Sequence, residues 1–506
     1  MKKIAMILAC ILVMSGCSNT AEPSNIVSNT VTITPSNLEP VSEPAGETPD
    51  PNSPLPNEGA SSSQASSSSA SSQSASSKPS SSSSQASSAA SKPSSSAAPS
   101  SQAPSSKPAT SSSSSAAPSS SKEPSSSEVP VATKPSDSGE IRAVWVSYLD
   151  FYSIAKGKTK AQFTANIDSW FKEFSDYGLN TVYAQVRPYG DTLYPSKLAP
   201  WSHTISATKT EGEDPGYDPL AIMIQHAKKY NLRFEAWLNP FRIRSSATNV
   251  PLSSSNPAKK LLEAGDRAVV EHGGAISYNP ASTKARQMIV DVVLEIIKNY
   301  DVDGIHFDDY FYPTTDKAFD QVDYDAYRNG GGKLSVDDWR RENVNKLIKG
   351  VYSAIKNYDK SIEFGISPQA KMENNYHAQF VDVEKMINES GYIDYVCPQI
   401  YFGFENDSMP YSTVLAQWNT MVKGSGKDLY IGLGPYKSGL VDNWAGGGKN
   451  EWLENTDLTQ RMVEDARNRS EYDGFAIFRS ELFFSPTGEQ ASYINKERAN
   501  LAKILD

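Results

Sequence analysis

The sequence predicts an α/β protein whose folded part is a closed (β/α)8 barrel, a TIM barrel, preceded by a disordered tether. Two observations lead to this fold class. Strand-like and helix-like stretches alternate in eight units along residues 139–506, and eight such units close a parallel sheet into a barrel. Polar and aromatic residues also recur at the predicted strand ends, where barrel enzymes keep their chemistry. The alternative is a doubly wound sheet, but no stretch resembles its glycine-rich phosphate-binding turn.

The predicted elements follow from hydrophobic periodicity and from turn residues. Strands are predicted over residues 142–148, 180–187, 233–239, 362–367, 393–401, 429–434 and 474–479, with one more beginning at residue 304. Helices are predicted over residues 162–177, 218–230, 281–300, 338–358, 381–390, 411–422 and 458–469, with a last helix running through residue 504. Residues 245–278 and 314–337 are predicted to be long loops that wall one side of an elongated cleft. The alternative is that they only decorate the surface.

The first 17 residues have the outline of a secretory signal. Two lysines precede an apolar run over residues 4–14, which is too short for a comfortable membrane span. Small residues then precede Cys17, which resembles the box of a bacterial lipoprotein signal. The prediction is a protein on the outer face of the bacterial cell membrane, anchored through a lipid on Cys17. The alternative is an ordinary cleaved signal.

Residues 18–138 are predicted to form a disordered linker. Serine dominates this stretch together with alanine and proline, and almost no large apolar residue lies between residues 60 and 128. Such a segment cannot bury enough apolar surface to offset the entropy lost on ordering. We expect a passive spacer that carries no chemistry, so the folded domain spans residues 139–506.

Charge and cysteine content exclude several classes of partner and cofactor. The net charge of the chain is −10, and an acidic protein is a poor nucleic-acid binder. Cys10 lies in the predicted signal, and lipidation would occupy Cys17. That leaves Cys397 in an apolar strand, so neither an internal disulfide nor a Cys/His zinc site is expected. We predict no metal and no cofactor. A neutral or amino-sugar polymer suits the negative net charge of the chain better than nucleic acid does.

The stretch over residues 301–313 carries the predicted catalytic acids. Strand periodicity places Ile305 and Phe307 on one face, and His306, Asp308 and Tyr310 on the other. Asp309 follows where the strand should end, so Asp308 and Asp309 are predicted to be catalytic at the carboxyl end of the fourth strand. The alternative is a helix-capping aspartate beside a solvated loop aspartate.

The other strand ends supply the predicted substrate-binding residues. Aromatic faces stack on sugar rings, and amide and guanidinium groups hydrogen-bond hydroxyls. The predicted set is Arg187, Tyr189, Asp191, Trp237, Asn239, Arg242, His306, Tyr310, Gln399, Tyr401 and Tyr436. For single members a packing or capping role is the alternative, and for His306 it is a hydrogen-bonded histidine of the barrel core. Arg187 and Arg242 are predicted either to hold an acidic substituent of the substrate or to pair with Asp308.

Several motifs resemble a known family. They are RAVWV (142–146), NTVYAQVRPYGD (180–191), YPS (194–196), PWS (200–202), PGYDP (215–219), AWLNP (236–240), DVDGIHFDDY (301–310) and PQIY (398–401). Together they are similar to the glycosyl hydrolase-like lipoprotein family called GHL10. The resemblance covers nearly all of the folded domain. It implies a (β/α)8 barrel, export to the cell surface and hydrolysis of glycosidic bonds, with cell-wall glycan as the favoured substrate.

The strand-four stretch is also similar to the corresponding motif of chitinase-type barrels. That motif has a glutamate two places after its last aspartate, where this chain has Tyr310. The departure argues against a straightforward chitinase mechanism.

Glycoside cleavage most often uses two carboxyl groups. Asp308 is the first choice, and its partner is Asp309 or a loop acid, with Glu481, Asp191, Glu373 and Glu405 as the candidates. We therefore predict a surface-anchored hydrolase of a polysaccharide, with peptidoglycan-type strands favoured. The alternative is a lipoprotein that binds wall glycan without cutting it. The oligomeric state is not predicted.

Overall fold

The computed structural model describes residues 139–247 and 250–505. The predicted signal peptide with Cys17 and the predicted linker over residues 18–138 lie outside the described residues, so both stay predictions. Within the described residues, no helix has the length and the apolar character that a membrane span requires.

Eight parallel strands close into a barrel, so the predicted (β/α)8 fold is confirmed. The strands in chain order are β1 (Ile141–Val146), β2 (Thr181–Arg187), β3 (Arg233–Leu238), β4 (Arg242–Arg244), β5 (Val269–His272), β6 (Ala275–Tyr278), β7 (Gly304–Phe307), β8 (Glu363–Ile366), β9 (Tyr395–Val396), β10 (Asp428–Leu433) and β11 (Tyr472–Ile477). The order around the barrel is β1, β2, β3, β7, β8, β9, β10 and β11, and β11 pairs again with β1. All carboxyl ends of these strands therefore open on one face.

Helices connect the strands and surround the barrel. They are α1 (Tyr148–Ile154), α2 (Lys160–Asp176), α3 (Pro219–Lys229), α4 (Pro257–Glu263), α5 (Thr283–Asn299), α6 (Gln321–Asn329), α7 (Val336–Tyr358), α8 (Met372–His377), α9 (Val383–Asn388), α10 (Tyr411–Val422), α11 (Glu451–Glu454), α12 (Leu458–Arg467), α13 (Ser480–Phe484) and α14 (Ala491–Ala502). Thr159 and Gln162 form a reciprocal capping box at the start of α2. Asp218 caps α3 in front of a proline at the first helical position. These local signals explain why the predicted helix bounds lie close to the observed ones.

Two predicted strands are shorter than expected. β1 ends at Val146, because the Asp150 carboxylate accepts the Ser147 backbone N–H at 2.6 Å and so begins α1. The predicted strand over residues 393–401 retains only β9, because Pro398 has no N–H to donate to a neighbouring strand.

The two predicted long loops contain regular structure. Residues 245–278 hold α4, β5 and β6, and β4, β6 and β5 form a small antiparallel sheet. Gly273 and Gly274 turn the β5–β6 hairpin with φ values of 56° and 79°, which glycine adopts without steric cost. Residues 314–337 hold α6, and a buried ion pair of 2.6 Å between Arg340 and Asp320 ties this segment to α7. The expectation of irregular loops was wrong, because their short elements are stabilised by tertiary contacts.

Large side chains fill the barrel interior. One cluster of buried residues there comprises Ala143, Trp145, Tyr183, Trp237, Tyr395, Cys397, Tyr430 and Ala476. Glycines make room for them: a Cβ added to Gly365 would lie 2.0 Å from the Tyr395 ring, and one added to Gly304 would lie 2.6 Å from the Glu235 carboxyl carbon. Ile305 and Phe307 pack in the other, larger cluster, so the predicted alternation along β7 is correct.

Candidate active site

Asp308 directly follows β7 at the carboxyl end of the barrel strands. It is 4% exposed. Its Oδ2 accepts the Trp237 indole N–H at 3.0 Å and the Asn239 amide at 3.4 Å. Its Oδ1 accepts the Tyr310 backbone N–H at 3.2 Å. The structure therefore brings four predicted site residues together around one carboxyl group.

Burial raises the pKa of Asp308 to about 7, and the negative charge of Asp309 adds to the rise. The positive charge of Arg242 and the hydrogen bond from Trp237 oppose it. Desolvation and a like charge both penalise ionisation of a carboxyl group, which explains the direction. Near neutral pH a substantial fraction of Asp308 is protonated, as a general acid requires.

Asp309 is 7% exposed and lies between two amide donors. Gln399 Nε2 donates to its Oδ1 at 3.2 Å, and Gln369 Nε2 donates to its Oδ2 at 3.3 Å. Burial raises the pKa of Asp309, whereas these two hydrogen bonds and the charge of Arg242 lower it. The charge of Asp309 is a cause of the raised pKa of Asp308, whereas a charge on Asp308 is not among the causes that raise the pKa of Asp309. Asp309 is therefore the member of the pair that ionises first.

Arg242 provides the positive charge beside the two carboxyl groups. Its guanidinium carbon lies 4.6 Å from the ring centroid of Tyr189, 4.7 Å from that of Tyr310 and 5.9 Å from that of Tyr148. Stacked rings hold a guanidinium in a fixed orientation. The charge of Arg242 lowers the pKa of both aspartates, so of its two predicted roles the structure supports the electrostatic one toward Asp308.

Arg187 does not reach the carboxyl pair. It is 1% exposed, and its Nη1 donates to the backbone carbonyls of Asn239 at 2.7 Å and Pro240 at 3.3 Å. These bonds brace the turn that presents Asn239 to Asp308. The prediction of a substrate contact is corrected here, because a buried guanidinium bound to backbone carbonyls is not presented to a ligand.

His306 lies in the barrel interior, one layer below the carboxyl pair. Trp145 Nε1 donates to its Nε2 at 3.1 Å, so Nε2 carries no proton, and Nδ1–H donates to the Tyr395 hydroxyl at 2.8 Å. Tyr395 in turn donates to Glu235 at 2.6 Å. Burial lowers the pKa of His306 to about 3, so the ring is neutral. Its prediction as a substrate-binding residue was wrong; it is a hydrogen-bonded histidine of the barrel core.

Asp191 and Tyr189 lie beyond β2, on the far side of the Arg242 side chain. Asp191 is 1% exposed, and its Oδ2 contacts His203 Nδ1 at 3.1 Å. The His203 ring lies 5.2 Å from that of Tyr189, centroid to centroid. Asp191 is thus engaged with His203 and not with Asp308, whereas Tyr189 reaches the site through Arg242.

Glu481 is placed away from the carboxyl pair. Its Oε2 accepts Arg479 Nη1 at 3.3 Å, and its backbone N–H donates to Asp150 at 3.1 Å. Glu373 and Glu405 are exposed. Within the described residues, no hydrogen bond or ion pair joins these acids to Asp308, because they lie on loops after other strands. Glu481 as the catalytic partner stays a prediction, since two catalytic carboxyl groups need not touch each other, and Asp309 is the acid adjacent to Asp308 in the chain.

An aromatic row begins beside Asp309. The charge of Asp309 is one of the causes, after burial, that raise the pKa of Tyr401. The Tyr401 ring lies 5.7 Å from that of Phe478 and 5.9 Å from that of Tyr436. Tyr401 and Tyr436 therefore line the same side of the barrel mouth as Gln399, as their positions at strand ends predicted.

Two groups of functional residues were missing from the predicted set. Gln369 supports Asp309, and its position at the end of β8 was a signal of the same kind as that of Gln399. Glu235 and Tyr395 support His306 from strands that read as apolar. The facing Gly304 was the sequence signal for Glu235, because it leaves space for a side chain from β3.

The described residues include no group of three or more histidine, cysteine, aspartate or glutamate side chains arranged to hold a metal ion. Cys397 is a buried free thiol in the barrel interior. Asp308 and Asp309 are two adjacent groups at the open end of the barrel that can transfer protons, and burial raises the pKa of both. Two adjacent carboxyl groups with raised pKa values beside aromatic and amide side chains are suited to proton transfer on a sugar substrate.

Several known proteins are similar to this chain. The model of the glycosyl hydrolase-like 10 family matches residues 140–469. The glycosyl hydrolase YngK of Bacillus subtilis (strain 168) is 35% identical over 331 residues, which are 61% of this chain and 63% of that protein. The glycosyl hydrolase DigH of Escherichia coli (strain K12) is 31% identical over 403 residues, which are 72% of this chain and 89% of that protein. The catalytic domain of a β-amylase from Paenibacillus polymyxa aligns with 73% of this chain and 99% of its own, with a TM-score of 0.46 and 11% identity.

The family match contains both aspartates and the residues that bind them. It extends over most of the barrel and over all the motifs that resembled the family in the sequence. The chain therefore belongs to the glycosyl hydrolase-like 10 family.

Proposed function

We propose that this protein hydrolyses glycosidic bonds with Asp308 as the general acid and Asp309 as the carboxylate that stabilises positive charge near the anomeric carbon. The observation that carries the proposal is the difference between two adjacent buried carboxyl groups. Burial and the charge of Asp309 bring the pKa of Asp308 to about 7, whereas Asp308 is not among the causes that raise the pKa of Asp309, and the Gln399 and Gln369 amides lower it. When two neighbouring acids lie in different environments, those environments indicate which one donates a proton and which one acts as the anion.

The hydrogen bonds also indicate where the Asp308 proton resides. Oδ2 accepts two donors, from Trp237 and Asn239, whereas Oδ1 accepts only the Tyr310 backbone N–H within the described residues. A carboxyl group keeps its proton on the oxygen with fewer donors, so Oδ1–H is the proton given to the leaving oxygen. Departure of the leaving group then places positive charge on the sugar, which the Asp309 anion stabilises. Water bonds to the anomeric carbon and gives one proton to the Asp308 carboxylate, which restores the acid and completes the hydrolysis.

We further propose that the substrate is an N-acetylated amino-sugar polymer, with peptide-free strands of peptidoglycan-type wall as the first choice. Asp308 and Asp309 are consecutive residues and approach the substrate from one strand end. They therefore do not flank a sugar ring from two faces as the acids of most glycosidases do. A 2-acetamido group of the substrate can supply the missing nucleophile, a route that plain glucans lack.

A panel of glycans tests this function. The wild type and Asp308→Asn are incubated with peptide-free wall strands, chitin and plain glucans, and released fragments are quantified. We expect release from the N-acetylated strands by the wild type and none by Asp308→Asn. Asp301→Asn serves as the control, because Asp301 is exposed before the amino end of β7, at the other end of the barrel, and this variant should keep its activity.

The rival function is a module that binds wall glycan without cutting it. The same aromatic and amide groups would serve both roles, so binding is measured alongside release. Glycan release that is unchanged in Asp308→Asn would refute the hydrolase mechanism. Binding by a wild type that releases nothing would favour the rival.

We also propose that a lipid on Cys17 anchors the protein at the outer face of the cell membrane. The arrangement of a positive start, a short apolar run and small residues before Cys17 supports it. Metabolic labelling with a fatty acid should tag the wild type and not Cys17→Ala. Cys397→Ala is the matched control and should keep the label, since Cys397 is buried. A Cys17→Ala variant labelled as strongly as the wild type would disprove the anchor.

A further inference from the structure

Gln369 donates to Asp309 from a backbone that neighbouring side chains hold in place. The Gln369 backbone N–H donates to Asn375 Oδ1 at 3.0 Å, and the Gln369 carbonyl accepts Asn375 Nδ2 at 2.7 Å. Trp418 Nε1 donates to the carbonyl of Ala370, the next residue, at 3.0 Å. Asn375, Ala370 and Trp418 are all buried. The conformational freedom that Gln369 retains is therefore in its side chain.

The direction of the Gln369 side-chain amide decides what Asp309 receives. An amide has a donor end and an acceptor end of similar shape, and a half-turn of the amide exchanges them. In the structure Nε2 faces Asp309 Oδ2 at 3.3 Å, so the carboxyl group gains a donor. The reversed amide would instead place Oε1 against the carboxylate, and facing acceptors destabilise an anion. Because Asp309 is buried, solvent relieves such a contact poorly.

Asn374 provides the donor that matches the observed direction. Its Nδ2 donates to Gln369 Oε1 at 3.2 Å. Two amides in series therefore donate toward the same carboxyl group, from Asn374 to Gln369 and from Gln369 to Asp309. Hydrogen bonds aligned in this way polarise one another. Asn374 and Asn375 both belong to α8, so this short helix holds the backbone and the side chain of Gln369 together.

The second amide at Asp309 is fixed in a different way. Gln399 Nε2 donates to Asp309 Oδ1 at 3.2 Å and to the Ser367 carbonyl at 3.0 Å. Both partners are acceptors, and only the nitrogen end of an amide can serve them. The direction of Gln399 is thus set by its own two contacts, whereas that of Gln369 depends on what Asn374 offers to Oε1.

From these contacts we infer that Asn374 is a positioning residue, which holds the donor end of the Gln369 amide on Asp309 and so favours the ionised form of Asp309 that the reaction uses. The inference rests on the proposed function for the role of Asp309 as the anion. It goes beyond that function by giving α8 a task in it. Asn374 is two hydrogen bonds away from the Asp309 carboxyl group and acts on it through Gln369.

The first test reverses the amide in the full-length protein. In Asn374→Asp the new carboxylate only accepts hydrogen bonds, so Gln369 turns Nε2 toward it and Oε1 toward Asp309. Because Asp309 then loses a donor to its charged form, the midpoint of the rise in kcat on the acid side should move up by about one pH unit. Asn374→Ala should move it less, since water can donate to Oε1 instead. Asn388→Asp is the matched control, because Asn388 is exposed at the end of α9, and it should leave the midpoint in place.

The other charged and titratable groups around Asp309 are the same in all these variants. Arg242 lowers the pKa of Asp309, and the charge of Asp309 raises the pKa of Asp308 and of Tyr401. A move of the midpoint therefore reports either the reversed amide or a direct repulsion between the new charge and Asp309.

A second background separates these two causes. Asn374→Asp is repeated in Gln369→Ala, where no amide can be reversed. If Gln369 carries the effect, the midpoint stays where Gln369→Ala alone places it. An equal move of the midpoint in both backgrounds would show that the new charge acts directly on Asp309 and would overturn the inference.

Unfolding in denaturant tests the positioning role even if the wild type cleaves no tested glycan. At pH 8, Asn374→Asp should lower the free energy of unfolding of the wild type, because an acceptor is turned toward the Asp309 carboxylate. In the Asp309→Asn background it should not, since the new amide can donate to the reversed Oε1. Additive effects of the two substitutions would overturn the inference. Non-additive effects in a protein that releases no glycan would support the positioning of Asp309 and count against the proposed hydrolysis alone.

Discussion

Among the buried carboxyl groups of the described residues, Glu235 and Asp308 differ in what surrounds them. Burial raises the pKa of Glu235 and of Asp308 to about 7 in each case. Glu235 is enclosed in the interior, where the Arg233 guanidinium lies 3.2 Å away and the Tyr395 hydroxyl donates at 2.6 Å. Asp308 lies at the barrel mouth beside a second acid. A raised pKa alone therefore does not identify a catalytic group; access and a neighbouring acid do.

The comparison is tested most strongly by removing each acid in turn. Asp308→Asn should lower kcat about 10²- to 10⁴-fold, because the general acid is lost. Glu235→Gln should change kcat by less than about threefold, since that carboxyl group contacts only protein groups. Steady-state kinetics on wall glycan measures both, and circular dichroism confirms that each variant is folded. Equal losses of kcat in the two variants would contradict the assignment.

A substitution next to Glu235 in the barrel interior should change the free energy of unfolding rather than kcat. Gly365→Ala would place a Cβ 2.0 Å from the Tyr395 ring, which donates to Glu235. Because the core is closely packed, we expect a loss of about 2–3 kcal/mol in the free energy of unfolding. Gly350→Ala in α7 is the control: its nearest neighbour would be 3.7 Å away, and alanine favours a helix. Denaturant unfolding that shows no difference between the two variants would refute the packing argument.

The two carboxyl groups should contribute equally to stability but unequally to activity as pH changes. Both have a folded-state pKa near 7, above the usual value of an unfolded carboxyl group, so the folded protein binds more protons between about pH 4 and 7. Stability is therefore highest at low pH within this window and falls by about 3–4 kcal/mol per group as pH rises from about 4 to about 7. Asp308→Asn and Glu235→Gln should each flatten this slope in unfolding experiments at pH 5 and pH 8.

Of Asp308 and Glu235, only Asp308 should control the fall of activity at high pH. The wild-type kcat is expected to fall as pH rises through about 7, since Asp308 must be protonated to act as the acid. In Glu235→Gln the midpoint of this fall should stay in place. A midpoint that moves in Glu235→Gln would show that the interior acid titrates with the reaction.

The smallest effect concerns the amides that support Asp309. Gln399→Ala removes the donor to Oδ1, a hydrogen bond to a charged group that is worth about 1.5 kcal/mol, so kcat should fall about tenfold. Gln490→Ala is the control, because Gln490 donates to the carbonyls of Tyr436 and Ser438 away from the acids. If Gln399→Ala retains full kcat, Asp309 does not depend on this donor.

The local pattern of apolar and polar residues was sufficient to predict the barrel and part of the candidate active site. The alternation in residues 304–308 placed His306 and Asp308 on the interior face, and strand ends singled out Trp237, Asn239 and Gln399. The same reasoning could not tell that Asp308 faces the barrel mouth while His306 lies in the core, because both residues share one face of the strand. It also missed the elements within residues 245–278, whose short lengths give little periodicity.

The sequence by itself determined the order of strands and helices, the face on which the strand-end residues gather and the pair of consecutive aspartates. These depend on contiguous residues, whose periodicity and capping are local properties. The tertiary structure decided which partner each polar group has. Gln399 reaches Asp309 across 90 positions of chain, and Tyr395 reaches Glu235 across 160. Burial and hydrogen bonds among such distant residues set the pKa of Asp308 and the tautomer of His306, since no local pattern encodes contacts formed only when the barrel closes.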